Sequence, residues 1–337
     1  MKLIDLFSGI GGFSLGFQRA GYQFTEHYFS EIDKHAIANY KHNFPNANYI
    51  GDITTIQPSN LAGADIITFG SPCQDFSMAG RRAGLAGAKS SLIQYAIALI
   101  TCVRPSVFIW ENVKGAFSSN AGADFWAILQ AFTHIGGYRL EWQLLNTKWV
   151  LPQNRERIYL IGHLAGRSQP GVFPITEDDC APRKEKTYQF QAKLSGTLKA
   201  NGNMNADDTY IIPKTASTLT GGGHSGGLHS DMTIIQINPS KESGGKQPYQ
   251  QNRVFDEKGI SPALTRHNSD YAISRMRRLT EIECERLQGF PDNWTEYGNY
   301  NSDIKPIART QRYKLIGNAV TVDIVELIAK RLKFTTL

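Results

Sequence analysis

The chain has 337 residues, 41% hydrophobic, 20% charged and 11% aromatic, which excludes a disordered or collagen-like protein and leaves enough apolar material for a sizeable core. Its formal net charge of +6 is localised: residues 181–280 hold 14 Lys/Arg against 8 Asp/Glu, and the rest of the chain balances. Such a segment suits contact with a polyanion, and equally a solvated basic face. In chain order, a short apolar strand is predicted over residues 2–6, then a Gly-rich turn over 7–12 and a helix to about Ala20. A second strand ends at Glu31 and a helix follows through Asn43. Brief apolar runs at 65–69 and 107–110 flank a helical stretch around 91–103, and a further β-rich run covers 157–163. Strands alternating with helices predict βαβ units, hence an α/β fold with a parallel sheet and helices on both faces.

The alternation stops after about Pro170. Residues 173–277 are rich in Gly, Ser, Asn and Thr. A stretch this long exceeds any linker inside a compact enzyme, so a small loop-rich second domain is expected. Regular structure returns at Thr280, where Thr280 and Glu283 match a capping box, with Leu279 and Cys284 as its hydrophobic staple. Gly289 and Pro291 end that helix. A last helix near 322–332 carries Ile324, Val325, Leu327, Ile328 and Leu332 as a broad apolar stripe.

No apolar run approaches the ~18 residues of a membrane helix, and Asp5 falls where a signal peptide would be apolar, so a cytoplasmic protein without membrane contact is expected. Cys73, Cys102, Cys180 and Cys284 lie far apart, with no C-x-x-C pair, so neither a disulfide framework nor a metal site is indicated.

The chemistry-bearing residues cluster where predicted strands end. The turn after the first strand contains Gly9, Gly11 and Gly12, but Ser14 stands at the third position of G-x-G-x-x-G and no P-loop Lys follows. Pyrophosphate cofactors are therefore disfavoured. Glu31 could accept hydrogen bonds from ribose hydroxyls and Asp52 one from an adenine amino group, a set that suits a nucleoside without pyrophosphate, such as S-adenosylmethionine. Cys73 follows Pro72 on a loop leaving the strand at 65–69, a position suited to a stabilised thiolate. Glu111 ends another buried strand, and Arg155 and Arg157 stand at i and i+2 on one side of a third. Read singly, Glu111 could cap a loop, and Arg155 with Glu156 could form a surface ion pair.

In this order, the blocks Phe7–Gly12, Glu31, Gly51-Asp52-Ile53, Pro72-Cys73-Gln74, Glu111-Asn112-Val113, Gln153 to Arg157, Arg278 to Pro291 and Gly317 to Val320 resemble the DNA (cytosine-5) methyltransferase family over nearly the whole chain. Ser71 departs from the Phe or Pro that many members carry before the Pro-Cys pair. The resemblance implies Cys73 as nucleophile, Glu111 on the cytosine N3 edge, and Arg157 with Arg155 at the base O2. It implies S-adenosylmethionine contacts at Phe7, Gly9, Gly11, Gly12, Glu31, Ile32, Asp52, Ile53, Pro72, Leu92, Asn318 and Val320. A Rossmann-like methyltransferase sheet in a catalytic domain of 1–172 completed by 310–337, and a small loop-rich target-recognition domain of 173–309, follow from it. The expected partner is double-stranded DNA, bound by a monomer in a restriction–modification or phage system. Three other readings stay open: an RNA-directed member, a non-catalytic DNA-binding regulator, and a dinucleotide oxidoreductase.

Overall fold

A computed structural model describes residues 1–71, 92–180 and 279–335. Its centre is a seven-stranded sheet: β1 (Lys2–Leu6), β2 (Glu26–Ser30), β3 (Asn48–Tyr49), β4 (Ile66–Gly70), β5 (Val107–Val113), β6 (Tyr138–Asn146) and β7 (Glu156–Leu164), in the order β3-β2-β1-β4-β5-β7-β6. The predicted strands at 2–6, 65–69, 107–110 and 157–163 all fall within it. The expectation of an all-parallel sheet needs correction, because β7 pairs antiparallel with both β5 and β6. The nine residues between β6 and β7 are too few for the crossover that parallel strands need. This reversal has a functional consequence: it puts the first residues of β7 at the sheet edge where the parallel strands end.

Helices cover both faces. On one, α1 (Gly12–Arg19) packs with the last helix of the fold against Leu3, Ile66, Val107, Ile109, Tyr159 and Ile161. The other face carries α3 (Leu92–Val103) and α5 (Ala123–His134), buried against Ile4, Leu6, Ile67, Phe69, Phe108, Trp110 and Leu160. α2 (Lys34–Asn43) lies beside β2, and α4 (Gly115–Ser118) is a single turn after β5. Beyond β7, the two-residue strand β8 (Ser168–Gln169) receives the C-terminal strand β11 (Lys333–Phe334).

The chain from 279 onward returns to this body. α6 (Glu281–Leu287) begins at the anticipated capping box: the Thr280 hydroxyl accepts from the Glu283 backbone N–H, and the Glu283 carboxylate accepts from the Thr280 N–H. Leu279 and Cys284 are buried together in the cluster of Ile10, Phe29 and Tyr40, which confirms the packing role of Cys284. A hairpin of β9 (Tyr297–Tyr300) and β10 (Asp303–Pro306) leads into α7 (Arg309–Asn318) and α8 (Val322–Arg331). The stripe Ile324, Val325, Ile328 and Leu332 is buried as expected. Residues 279–309, which the resemblance assigns to the target-recognition domain, make contacts with α2: Asn39 and Asn43 donate to Trp294 O, and His35 Nδ1 meets Tyr300 Oη at 2.6 Å. Val172, Ile175 and Cys180 likewise belong to the core under α8.

Candidate active site

The β1–α1 turn is shaped by backbone at positive φ, with Phe7 at 50°, Gly9 at 52° and Gly11 at 82°. Gly11 is required twice over, since its φ disfavours any side chain and a Cβ there would come within 2.3 Å of the Phe44 ring. The turn is pinned to β2 by Glu31: Oε2 accepts from Gly9 N at 2.9 Å, and Oε1 accepts from Ile32 N at 2.8 Å and Asp33 N at 3.0 Å. One bond to Oε2 leaves that oxygen free capacity for a hydroxyl donor. Ile32 beside it is 74% exposed, an apolar side chain at the rim of the turn. Asp52 caps the short turn Ile53–Thr55 by accepting from Thr54 N at 3.0 Å, while Ile53 is buried in the core. Leu92 begins α3, half-buried against the same core. Val320 approaches Gly12 so closely that a Cβ on Gly12 would lie 2.6 Å from its Cγ2, and Asn318 is exposed at the end of α7. Pro72 and Cys73 lie outside the described residues.

Beneath the turn sits a buried polar network that the sequence did not single out. Asp5 accepts from Ser14 Oγ at 3.0 Å, Tyr40 Oη at 3.1 Å and Thr68 Oγ1 at 2.9 Å; His27 Nε2 meets Ser14 Oγ and Tyr40 Oη. Burial pushes Asp5 up to about 7, against the pull of its three hydroxyl donors. Burial also holds His27 down to about 4. The signal was Ser14: at the position a dinucleotide fold keeps for glycine, this chain has a hydroxyl that ties α1 to β1.

Glu111 and Arg157 meet at the end of the sheet. Glu111 pairs with Tyr159 and Val113 with Arg157 in the β5–β7 register, so Glu111 and Arg157 are diagonal neighbours on one face. Arg157 Nε stands 3.1 Å from Glu111 Oε1, both side chains being buried. Burial raises the Glu111 carboxyl above its usual range, and the charges of Arg157 and Arg155 oppose that rise. Gly70, opposite Glu111 on β4, leaves room for the carboxylate: a Cβ there would be 3.0 Å from Oε2. Arg155 separates from its neighbour. It is buried and donates to the carbonyls of Gly317 at 3.4 Å and Ala319 at 2.8 Å, tying the start of β7 to the end of α7. The surface ion pair considered for Arg155 and Glu156 does not form; Glu156 pairs with Lys114 instead, at 2.9 Å. Asn146, not singled out by the sequence, holds the β6–β7 connection by accepting from Lys148 N and Arg155 N.

Burial raises the thiols of Cys180 and Cys284 above their ordinary range, which disfavours the thiolate at both. Cys102 lies exposed on α3. Among the described residues no helix is long and apolar enough to cross a membrane.

The sheet order, the cradle at the carboxyl end of β1 and the buried carboxylate–guanidinium pair define a Rossmann-like methyltransferase framework. Residues 1–334 match the C-5 cytosine-specific DNA methylase family. The chain is 30% identical to the type II methyltransferase M.Bsp6I of Bacillus sp. (strain RFL6), over 98% of each chain. It is 31% identical to the type II methyltransferase M1.ScrFI of Lactococcus lactis subsp. cremoris, over 98% of this chain and 77% of that one. The solved structure of the S. pombe Dnmt2 methyltransferase shares the fold, with a TM-score of 0.60 and 18% identity over 97% of this chain and 96% of that one. The chain belongs to the C-5 cytosine-specific DNA methylase family and is a DNA cytosine-5 methyltransferase. Its methyl donor is S-adenosylmethionine, as in the rest of the family. The acceptors at Glu31 and Asp52, the positive-φ turn and the exposed Ile32 fit a nucleoside with no phosphate to neutralise.

Proposed function

We propose that the chain methylates C5 of a cytosine flipped out of double-stranded DNA, through a covalent adduct on Cys73. The observation that carries this reading is the buried Glu111–Arg157 pair at the sheet edge where β4 ends, the strand that precedes Cys73 in sequence. Cytosine C5 is a poor nucleophile. Addition of the Cys73 thiolate to C6 forms the C–S bond and moves the ring electrons to C5, which divides one hard step into two. Glu111, whose burial favours its protonated form, supplies a hydrogen bond to N3 where negative charge develops. Arg157 holds the base O2 and keeps Glu111 oriented. Arg155 acts as a positioning residue through Gly317 and Ala319. Bound S-adenosylmethionine supplies an electrophilic methyl group, held by Glu31, Asp52 and the Phe7–Gly12 turn. Loss of the C5 proton and breaking of the C–S bond then regenerate the thiolate and the aromatic ring. A base inside a duplex cannot be reached in this way, which is the reason for extrusion.

Residues 181–278, basic and rich in Gly, Ser, Asn and Thr, carry target recognition in this reading, supported by their charge excess. Similarity to type II methyltransferases supports a role in a restriction–modification or phage system, in the cytoplasm. The test is covalent trapping on a long duplex in which every cytosine is 5-fluorocytosine, so that the target is present whatever its sequence. Wild type should form a denaturation-resistant adduct and Cys73→Ser none. Adduct formation by Cys73→Ser, or its appearance at Cys102, would reject the mechanism. Methylation of tRNA in preference to duplex DNA would reject the substrate.

A further inference from the structure

Ser71 is the last described residue before Pro72 and Cys73. Here its hydroxyl is the meeting point of two side chains from β5. Trp110 Nε1 donates to Ser71 Oγ at 2.9 Å and Asn112 Nδ2 donates to the same oxygen at 3.1 Å. Asn112 Nδ2 also lies 3.4 Å from the Ser71 carbonyl. All three residues are buried. Trp110 and Asn112 flank Glu111 in sequence, so they point to the opposite face of β5 from the carboxylate. One strand thus presents Glu111 on one side and clamps Ser71 on the other.

We propose that Ser71 is a positioning residue for the nucleophile: the Trp110–Ser71–Asn112 clamp sets where the chain leaves β4, and so where the Cys73 thiol meets the base held by Glu111. This rests on the reading of Cys73 as nucleophile. Only two peptide links separate Ser71 Cα from Cys73 Cα, a reach of at most about 7.6 Å, so a fixed Ser71 bounds where the nucleophile can stand. Loss of the hydroxyl removes the acceptor of the buried Trp110 Nε1–H and leaves Asn112 Nδ2 with only the longer contact to the Ser71 carbonyl. A misplacement of about 1 Å at a reacting centre costs on the order of a hundredfold in rate.

The experiment measures single-turnover trapping on the 5-fluorocytosine duplex together with S-adenosylmethionine affinity. Ser71→Ala should trap at least tenfold more slowly than wild type with cofactor affinity unchanged, and Ser71→Thr, which keeps the hydroxyl, should recover most of the rate. A purely structural role would lower thermal stability without this selective loss. Should Ser71→Ala not fold, Trp110→Phe removes one donor of the clamp and should slow trapping at unchanged cofactor affinity. Trapping at the wild-type rate by the folded variant overturns the proposal. Failure of wild type itself to trap while it still methylates DNA overturns the nucleophile reading instead.

Discussion

Arg157 and Glu111 are partners because β7 runs against β5: the guanidinium Nε stands 3.1 Å from the carboxylate Oε1 although 46 positions separate them in the chain. Were β7 parallel, Arg157 would lie at the far edge of the sheet. The pair is buried, so its two members depend on each other as well as on the base they are proposed to hold.

Glu111→Gln should therefore keep the fold and lose methyl transfer by roughly 10²–10⁴-fold, the range of a lost general acid. Arg157→Ala leaves the buried Glu111 carboxyl without its nearest cation, so it should raise the pH to which Glu111 keeps its proton and lower stability, seen in urea denaturation at neutral pH. Because Glu111 holds its proton to higher pH than an ordinary carboxyl, the step it assists should weaken as pH rises through that raised value. A Glu111→Gln enzyme as fast as wild type at every pH would contradict this role.

Glu31 and Asp52 should differ in their effect on the cofactor. Glu31 accepts three backbone N–H bonds as well as facing the turn, so Glu31→Ala disturbs the cradle itself. A loss of roughly 1.5–3 kcal/mol in S-adenosylmethionine affinity is expected for it. Asp52→Ala removes an acceptor that holds a single backbone N–H of its turn, and should cost less. Calorimetric titration with both variants measures the difference; unchanged affinity in both would exclude the assigned pocket.

Asp5 and His27 make opposite contributions to stability as pH changes. Asp5 is raised from 3.8 to about 7, so over that range the folded state keeps a proton the unfolded chain releases, and its contribution falls as pH rises. His27 is lowered from 6.5 to about 4, so over that range the unfolded chain holds a proton the folded state lacks, and its contribution rises with pH. Between about pH 4 and 6.5 the two slopes cancel. Relative to wild type, His27→Gln should lose stability with rising pH at up to about 1.4 kcal/mol per unit, and Asp5→Asn should show the opposite slope. Parallel stability–pH curves for all three proteins would refute the assignment.

Sequence choice should move with residues 181–278. The limits follow from the packing of Val172, Ile175 and Cys180 on one side and of Leu279 and Cys284 on the other, which belong to the catalytic body. Exchange of 181–278 for the matching stretch of a relative with another target should transfer that target, read by sequencing of 5-methylcytosine. Neutralising basic residues there should weaken binding across all sequences and flatten its salt dependence. A folded, active chimera that keeps the original target would place recognition elsewhere.

Local pattern was enough to determine much of this protein. Period and turn chemistry located β1, β4, β5, β7, α1 and α8, and the Thr280–Glu283 box gave the start of α6, because capping and burial of a stripe are decided within a few residues. The candidate residues Glu31, Asp52, Glu111 and Arg157 were legible as polar groups at strand ends. Three things were decided only by the tertiary structure. The direction of β7 depends on a connection too short to cross over, and no period-2 pattern encodes direction. The return of residues 279–309 to α2 depends on contacts such as Asn39 with Trp294, made across some 255 positions. The division of Arg155 from Arg157 was also hidden, since two guanidiniums at i and i+2 read alike until one finds the carbonyls of Gly317 and Ala319 and the other finds Glu111. Sequence spacing records which side of a strand a group leaves from; what it meets there is set by elements folded in from elsewhere in the chain.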